Sequence, residues 1–282
     1  MVMEKKPVYI IKANGERELF ERRKLENSLR KAGTDSKTIA RIVNAISIEL
    51  TDGMTTADIY RKAFQMLDQA EIIPATKYSV RKAVMQLGPD GFPFEDFIGA
   101  LYRARGYRTR LRQTIRGLCV PYEVDLIAEN NEEFILGEIK FHNRQGLKSD
   151  LKVVLYVKAR FDDLERGEFW QNIDKNLRKE KVLITNTKFT SQARMYAECY
   201  RSLHLISWNY PENNNLHQMI IEAGLYPITC LKTLDEFEKK LFLAKKVVLC
   251  RELRQGGERL FRLVGISPEK TQETLAEINK II

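Results

Sequence analysis

Three ionisable residues stand where a sheet strand would ordinarily carry apolar ones. In the stretch CVPYEVDLIAENNEEFILGEIKFH, from Cys119 to His142, Asp125 lies between Val124 and Leu126, while Glu138 and Lys140 alternate with Gly137, Ile139 and Phe141. Charges are rarely left in such surroundings without a partner or a task. The apolar runs on either side of Glu129-Asn130-Asn131-Glu132 read as two strands joined by turn residues. If Ala128 pairs with Glu133 across that turn, Asp125 lies opposite Leu136. Side chains alternate faces with period two, so Leu136, Glu138 and Lys140 then share a face with Asp125. Asp125 and Glu138 become diagonal neighbours, within reach of one shared cation. Two carboxylates and a backbone carbonyl suit Mg2+ (or Mn2+), a cation that takes oxygen ligands and keeps several waters. A lysine beside them can orient a water or stabilise charge building on a phosphate. The competing account is an ion pair on a solvated sheet face, and the apolar flanks weigh against it.

Other elements must position these strands. Phe94 to Gly106 reads as a helix with Phe94, Phe97, Ile98 and Leu101 on one face. YRARGYRTRLRQTIRG follows, crowding Arg103, Arg105, Arg108, Arg110, Arg112 and Arg116 beside the charged strand. Such a cluster suits salt-dependent contact with DNA phosphates; the alternative is ordinary solvated arginine. Beyond the hairpin, Gly146 to Glu165 reads as a helix burying Leu151, Val154, Leu155, Val157 and Phe161. Lys148, Lys152, Lys158 and Arg160 fall on its other face. Lys181 to Thr185 is a strand, Ser191 to Tyr200 a helix, and His204 to Trp208 a last strand. That order predicts an α/β layer fold around a mixed sheet.

Upstream, Val8 to Ile11 and Glu18 to Phe20 flank an Asn14-Gly15 turn. A helix from Arg22 to Ala32 ends at Gly33. Asp35 or Ser36 caps the next helix, which carries Ile39, Ile42, Val43, Ile46 and Leu50 at helical spacing. Helices from Thr55 or Thr56 through Leu67, and from Ala75 to Leu87, complete a small hairpin with four helices. The Gly/Pro-rich run Leu87 to Pro93 marks a boundary. The expected domains are residues 1–90, 91–210 and 211–282, the last mainly helical.

The charged hairpin resembles the PD-(D/E)xK nuclease signature, with Asp125 as its first acid and Glu138-Ile139-Lys140 as its second half. The neighbouring runs FEDFIGALYRARGY and LKVVLYVKARFDDL are similar to the Mrr-like restriction endonuclease branch, over about Phe92 to Trp208. A literal Pro-Asp is replaced by Glu123-Val124 before the acid, with Pro121 nearby. The resemblance implies a restriction-endonuclease-like α/β/α core and a Mg-dependent endodeoxyribonuclease, in restriction or defence. Asp125 and Glu138 would hold metal, and Lys140 would assist. It also implies an extra acid from the first helix, for which Glu95 is the candidate. An exposed first-turn glutamate favouring the helix dipole explains Glu95 equally well. His142 could touch phosphate or a metal-bound water, or be a polar neighbour.

The N-terminal outline resembles the ATP-cone, through YIIKANGERELFERRKLENSLRKAG, MTTADIYRKA and ATKYSVRKAV. This resemblance implies a regulatory site for ATP or dATP, and by position it assigns Lys12, Glu18, Glu21, Lys24, Thr56 and Tyr60 to it. Ala13 stands where such cones often carry Arg. A cone that packs without ligand is the alternative. At the other end, LFRLVGISPEKTQETLAEINKI weakly resembles a helix-hairpin-helix element, and a plain helical cap accounts for it as well.

The balance of 47 Lys and Arg against 38 Asp and Glu gives a formal net charge of +9, which suits a polyanionic partner. No run of about eighteen apolar residues is present. The stretch MVMEKKP lacks an apolar signal core. Cys119, Cys199, Cys230 and Cys250 are scattered without zinc spacing, as free thiols of a cytoplasmic protein would be. The chain is too short for a ribonucleotide reductase barrel. The expected fold is α/β, α+β overall: a helical cone with a small β-hairpin, a mixed-sheet core and a helical C-terminal region. The expected function is nucleotide-regulated cleavage of DNA by a homo-oligomer, a dimer or larger. The alternatives are an ATP- or dATP-responsive DNA-binding regulator without cleavage and a junction-resolving nuclease.

Overall fold

The computed structural model describes residues 7–70, 72–144 and 146–282; the expectation for the first six residues lies outside them. Strands β1 (Tyr9–Ile11) and β2 (Arg17–Leu19) pair antiparallel, and Gly15 supplies the positive φ of 82° that the turn between them requires. Helices α1 (Arg22–Lys31), α2 (Ser36–Glu49), α3 (Thr56–Ala70) and α4 (Ile72–Met85) follow, giving the expected hairpin with four helices. The Asp35 side chain caps α2 by accepting the Lys37 and Thr38 N–H groups. Leu25, Leu29, Ile42, Val43, Ala63 and Leu67 close a separate apolar core between these helices.

Helix α4 belongs to two cores. Tyr78 packs with the N-terminal helices, whereas Val80, Val84 and Leu87 are fully buried in the large central core. The Thr229 hydroxyl donates to the Ala83 carbonyl, fastening the same helix from the C-terminal region. The run Leu87 to Pro93 is therefore a packed turn, with Leu87 and Gly91 buried, rather than an open tether.

Helix α5 (Phe92–Ala104) precedes β3 (Arg108–Arg116), β4 (Pro121–Glu129) and β5 (Glu133–Lys140). The chain continues through β6 (Lys148–Ser149), α6 (Leu151–Arg166), α7 (Glu168–Gln171), β7 (Arg178–Thr185), β8 (Lys188–Phe189), α8 (Ser191–Tyr200) and β9 (His204–Ile206). The central sheet has the order β3-β4-β5-β7-β9. Its first three strands run antiparallel, and β5, β7 and β9 run parallel. One face packs on α5 and the C-terminal helices, the other on α6, α7 and α8. Apart from the main sheet, β6 and β8 form a two-stranded parallel ribbon.

The C-terminal region holds α9 (Leu216–Ala223), α10 (Glu236–Ala244), α11 (Cys250–Leu263) and α12 (Pro268–Ile281). Phe242, Phe261 and Ile278 join the same core as Phe94 and Phe97, so this region and the sheet share one interior. The scattered cysteines are not all remote: the sulfurs of Cys230 and Cys250 lie 3.8 Å apart. Among the described residues, no helix is long and apolar enough to cross a membrane.

Two expectations need correction. The hairpin pairs Ala128 with Ile135 and Leu126 with Gly137, two residues away from the expected register. The Asn130 side chain accepts the Glu132 and Glu133 N–H groups, so the four-residue loop falls at 130–133, one position later than expected. A shift of two preserves facing along the paired residues, which end at Leu126↔Gly137 and do not include Asp125. The helix expected from Gly146 begins at Leu151, where Asp150 accepts the Val153 N–H as its cap, and Leu155 is 42% exposed rather than buried.

Candidate functional site

The charged residues meet where the ladders of the sheet are interrupted. Between β3 and β4, Leu111 pairs with Leu126 and Gln113 with Val124, but Arg112, between them, takes a left-handed φ of 53°. Such a conformation is unfavourable for a long side chain and is held only by its surroundings. The two faces of β4 exchange at this level. Leu126 and Ala128 pack toward α5, whereas Val124 joins the core under α6. Pairing between β4 and β5 reaches only Leu126↔Gly137. Beyond it, the Asp125 carboxylate accepts the Ile139 N–H at 2.7 Å, taking the place of a backbone carbonyl.

The opening holds a half-buried set of charges. Glu138 is 3% exposed, and its carboxylate accepts from Lys140 Nζ at 2.5 Å and from Arg160 Nη1 at 2.8 Å. Arg160 also donates to the Glu123 carbonyl and lies over the rings of Tyr122 and Tyr156. On α5, Glu95 and Asp96 accept from the two ends of the Arg112 guanidinium at 3.1 and 2.7 Å. Burial and then the Glu138 charge push the Asp125 carboxyl up to about 7, against the Ile139 N–H that favours its ionised form. Burial likewise raises Glu95, more than Arg112 lowers it. A negative charge at Asp125 thus lacks enough compensation from the groups around it.

Asp125 is the meeting point of this set, since it feels the charges of Glu138, Glu95 and Lys140. Among the described residues, no group of three or more His, Cys, Asp and Glu side chains is arranged to hold a metal ion. A cation at this place would rest on two carboxylates, a strand carbonyl and water. His142 donates its backbone N–H to Asn186, and its ring lies 3.0 Å from the Ser149 hydroxyl. Burial, with the charge of Lys140, lowers its pKa.

The arginine cluster divides. Arg112 is committed to Glu95 and Asp96 and is not available as an exposed phosphate contact. Arg108 pairs with Glu129 at 3.1 Å, and Arg103 donates to Thr109 at 2.7 Å. Arg105, Arg110 and Arg116 are exposed. Arg160, expected on the solvated face of its helix, is 14% exposed in its side chain and pairs with Glu138. A signal for this was present: Arg160 is three residues past buried Val157 and four before buried Leu164, hence on the buried face.

A second site lies at the cone. Lys12, Glu18, Glu21, Lys24, Thr56 and Tyr60, the six residues assigned to nucleotide by position, all line one cavity of about 550 Å3. Glu18 sits between Lys12 and Lys24, whose hydrogen bonds pull its carboxyl down to about 2. Tyr60 stacks on Tyr78 with ring centroids 5.0 Å apart. The sequence offered no hint of the rest of the wall: Arg81 from α4, Gly146 to Lys148, and Thr187 with Lys188.

Comparison with known proteins agrees with parts of this picture. Residues 8–83 match the model of the ATP cone domain, and residues 226–282 match that of the AF1548-like C-terminal region. An uncharacterized protein of Archaeoglobus fulgidus is 35% identical over 182 residues, which is 64% of this chain and 98% of that protein. The crystal structure of AF1548, a protein of unknown function, superposes with a TM-score of 0.55 at 31% identity, covering 67% of this chain and 97% of that one. The chain belongs to the AF1548-like family. A likeness to the MspJI restriction endonuclease in complex with a 27-mer oligonucleotide is at 11% identity and a TM-score of 0.33, over 72% of this chain and 39% of that one, too slight to bear on fold or function.

Proposed function

We propose that this chain is a nucleotide-regulated, metal-dependent DNA endonuclease. The observation that carries the reading is the half-buried Asp125 carboxyl, raised to about 7 beside Glu138, Glu95 and Lys140 where the sheet opens. Carboxylates gathered with too little positive charge form a site whose electrostatics favour a cation. Oxygen donors on rigid strands fit Mg2+ or Mn2+, with Asp125 and Glu138 as the side-chain ligands. Such an ion, when bound, supplies Lewis acidity toward a phosphate oxygen and lowers the pKa of a coordinated water.

The chain's own residues do the rest. Lys140 orients the attacking water and stabilises charge on the phosphate. Arg160 fixes the Glu138 carboxylate, and Arg112 fixes Glu95 toward the same opening. Arg105, Arg110 and Arg116, with Arg103 and Arg108 beside them, offer phosphate contacts along β3 and its entry. Two-strand cutting or junction resolution would follow most directly from a twofold dimer. The cone at residues 8–83 supports ATP or dATP as the regulatory ligand, with Lys12, Glu18, Glu21, Lys24, Thr56 and Tyr60 around it.

One observation favours a second reading, a nucleotide-responsive DNA-binding regulator without cleavage. Glu138 is already satisfied by Lys140 and Arg160, so its carboxylate is stable without a metal. Plasmid cleavage with Mg2+, with and without ATP or dATP, separates the two. Cutting that vanishes in Asp125→Asn while DNA binding persists supports the nuclease. Binding without cutting in the wild type supports the regulator.

A further inference from the structure

The cavity at the cone is walled by more than the cone. Lys148 on β6 and Lys188 on β8 face it from the central α/β unit, and Arg81 faces it from α4. The approach is close: a Cβ at Gly146 would come within 3.1 Å of the Asn14 backbone nitrogen at the tip of the cone hairpin. Gly146 also has a φ of 92°, which L side chains rarely adopt. The hairpin tip and the loop before β6 therefore meet backbone to backbone.

The charges of this wall are answered only in part: Glu16 acts on Lys148, Glu18 acts on Lys188, and Arg81 lies over the Trp208 ring. Glu18 answers Lys12 and Lys24. Among the described residues, no ion pair engages Arg81, Lys148 or Lys188, and the buried Nε of Arg81 has no hydrogen-bond partner. Partial desolvation, and then the charges of Arg81, Lys148 and Lys12, hold the Lys188 ammonium below its ordinary pKa. Several cations gathered around a cavity of this size define a place for a polyanion.

We propose that the phosphates of the nucleotide are held jointly by the cone and the α/β unit, with Lys148, Lys188 and Arg81 as contacts beside Lys12. The proposal rests on the reading of residues 8–83 as a nucleotide site and adds a second body to it. A ligand bridging two bodies stabilises the arrangement in which both contribute, which is what regulation requires. The ribbon is also tied to the sheet site. Ser149, the residue after Lys148, holds the His142 ring at 3.0 Å, and His142 lies two residues beyond Lys140.

Calorimetric titration of the full chain with ATP, and separately with inorganic tripolyphosphate, tests this. Lys148→Ala/Lys188→Ala removes two exposed lysines and leaves the cores intact. It should weaken ATP and tripolyphosphate binding by about tenfold or more, as removal of charge-assisted hydrogen bonds to phosphate does, while the neighbouring exposed Lys152→Ala leaves it unchanged. Hydrogen exchange gives an independent readout: ATP should slow amide exchange at residues 146–149 and 187–190 as well as in the cone. Wild-type affinity in the double variant, or protection confined to the cone, overturns the shared site and leaves the cone reading standing. Absence of ATP binding to the wild-type chain at millimolar concentration removes the cone reading, and this proposal with it.

Discussion

Asp125 at the sheet opening and Glu18 in the cone cavity are both carboxylates, yet one is pushed up to about 7 and the other drawn down to about 2. Asp125 is half-buried, next to a second carboxylate, and accepts one backbone N–H. Glu18 lies between two ammonium groups. The difference is one of local charge balance. The sheet site has more negative charge than its cations answer, whereas the cavity has more positive charge than Glu18 and Glu21 answer. One place is suited to a cation and the other to a polyanion, within a single chain of net positive charge.

The sheet side of that contrast breaks most severely. Asp125→Asn, Glu138→Gln and Lys140→Ala should each reduce Mg2+-dependent plasmid cleavage by about a thousandfold while DNA binding stays near wild type. Cutting at the wild-type rate by all three would remove these residues from the catalytic machinery. On the cavity side, Lys12→Ala and Lys24→Ala should weaken nucleotide binding about tenfold, measured by calorimetry, and leave cleavage without nucleotide untouched.

The pH dependence sharpens the same comparison. Asp125 binds its proton more tightly folded than unfolded, so its contribution favours the native state below the ordinary carboxylate range. That contribution is lost as pH rises through about 7. Thermal unfolding of Asp125→Asn should therefore show a gain over wild type that grows between pH 4 and pH 8, on the order of 1–3 kcal/mol. Added Mg2+ should erase that difference at pH 8 and have little effect at pH 5, where protons compete for Asp125. Glu18 runs the other way. Its contribution is present above the ordinary carboxylate range and lost as pH falls toward about 2.

The smallest expected effect concerns DNA affinity. Removing Arg105, Arg110 and Arg116 should lower the slope of log affinity against log salt by about 0.9 for each duplex phosphate that is no longer neutralised. Arg112→Ala should behave differently, disturbing Glu95 and cleavage more than the salt slope, because its guanidinium is paired with α5.

Much of this was legible in the chain. The Asn14-Gly15 turn, the Asp35 cap, the apolar face of α5 and the alternation in β4 and β5 are local matters. Propensity, hydrogen bonding within a few residues and the periods of helix and strand decide them. Along the paired residues of the hairpin, facing survived a register wrong by two, because side-chain period in a strand is two, but at Asp125 the faces of β4 exchange. Arg160 on the buried side of α6 could have been found by the same counting.

Other features had no local cause. The left-handed Arg112 is held by two carboxylates more than a dozen residues earlier, and the ladder ends at Asp125 because a side chain supplies what a carbonyl otherwise would. The wall of the cone cavity comes from a ribbon over a hundred residues downstream of the hairpin. Residue types and spacing by themselves determined which elements form and which charges need an answer. Only the tertiary structure decided which charge answers which, because ion pairing and desolvation depend on distances between segments that the order of residues does not specify.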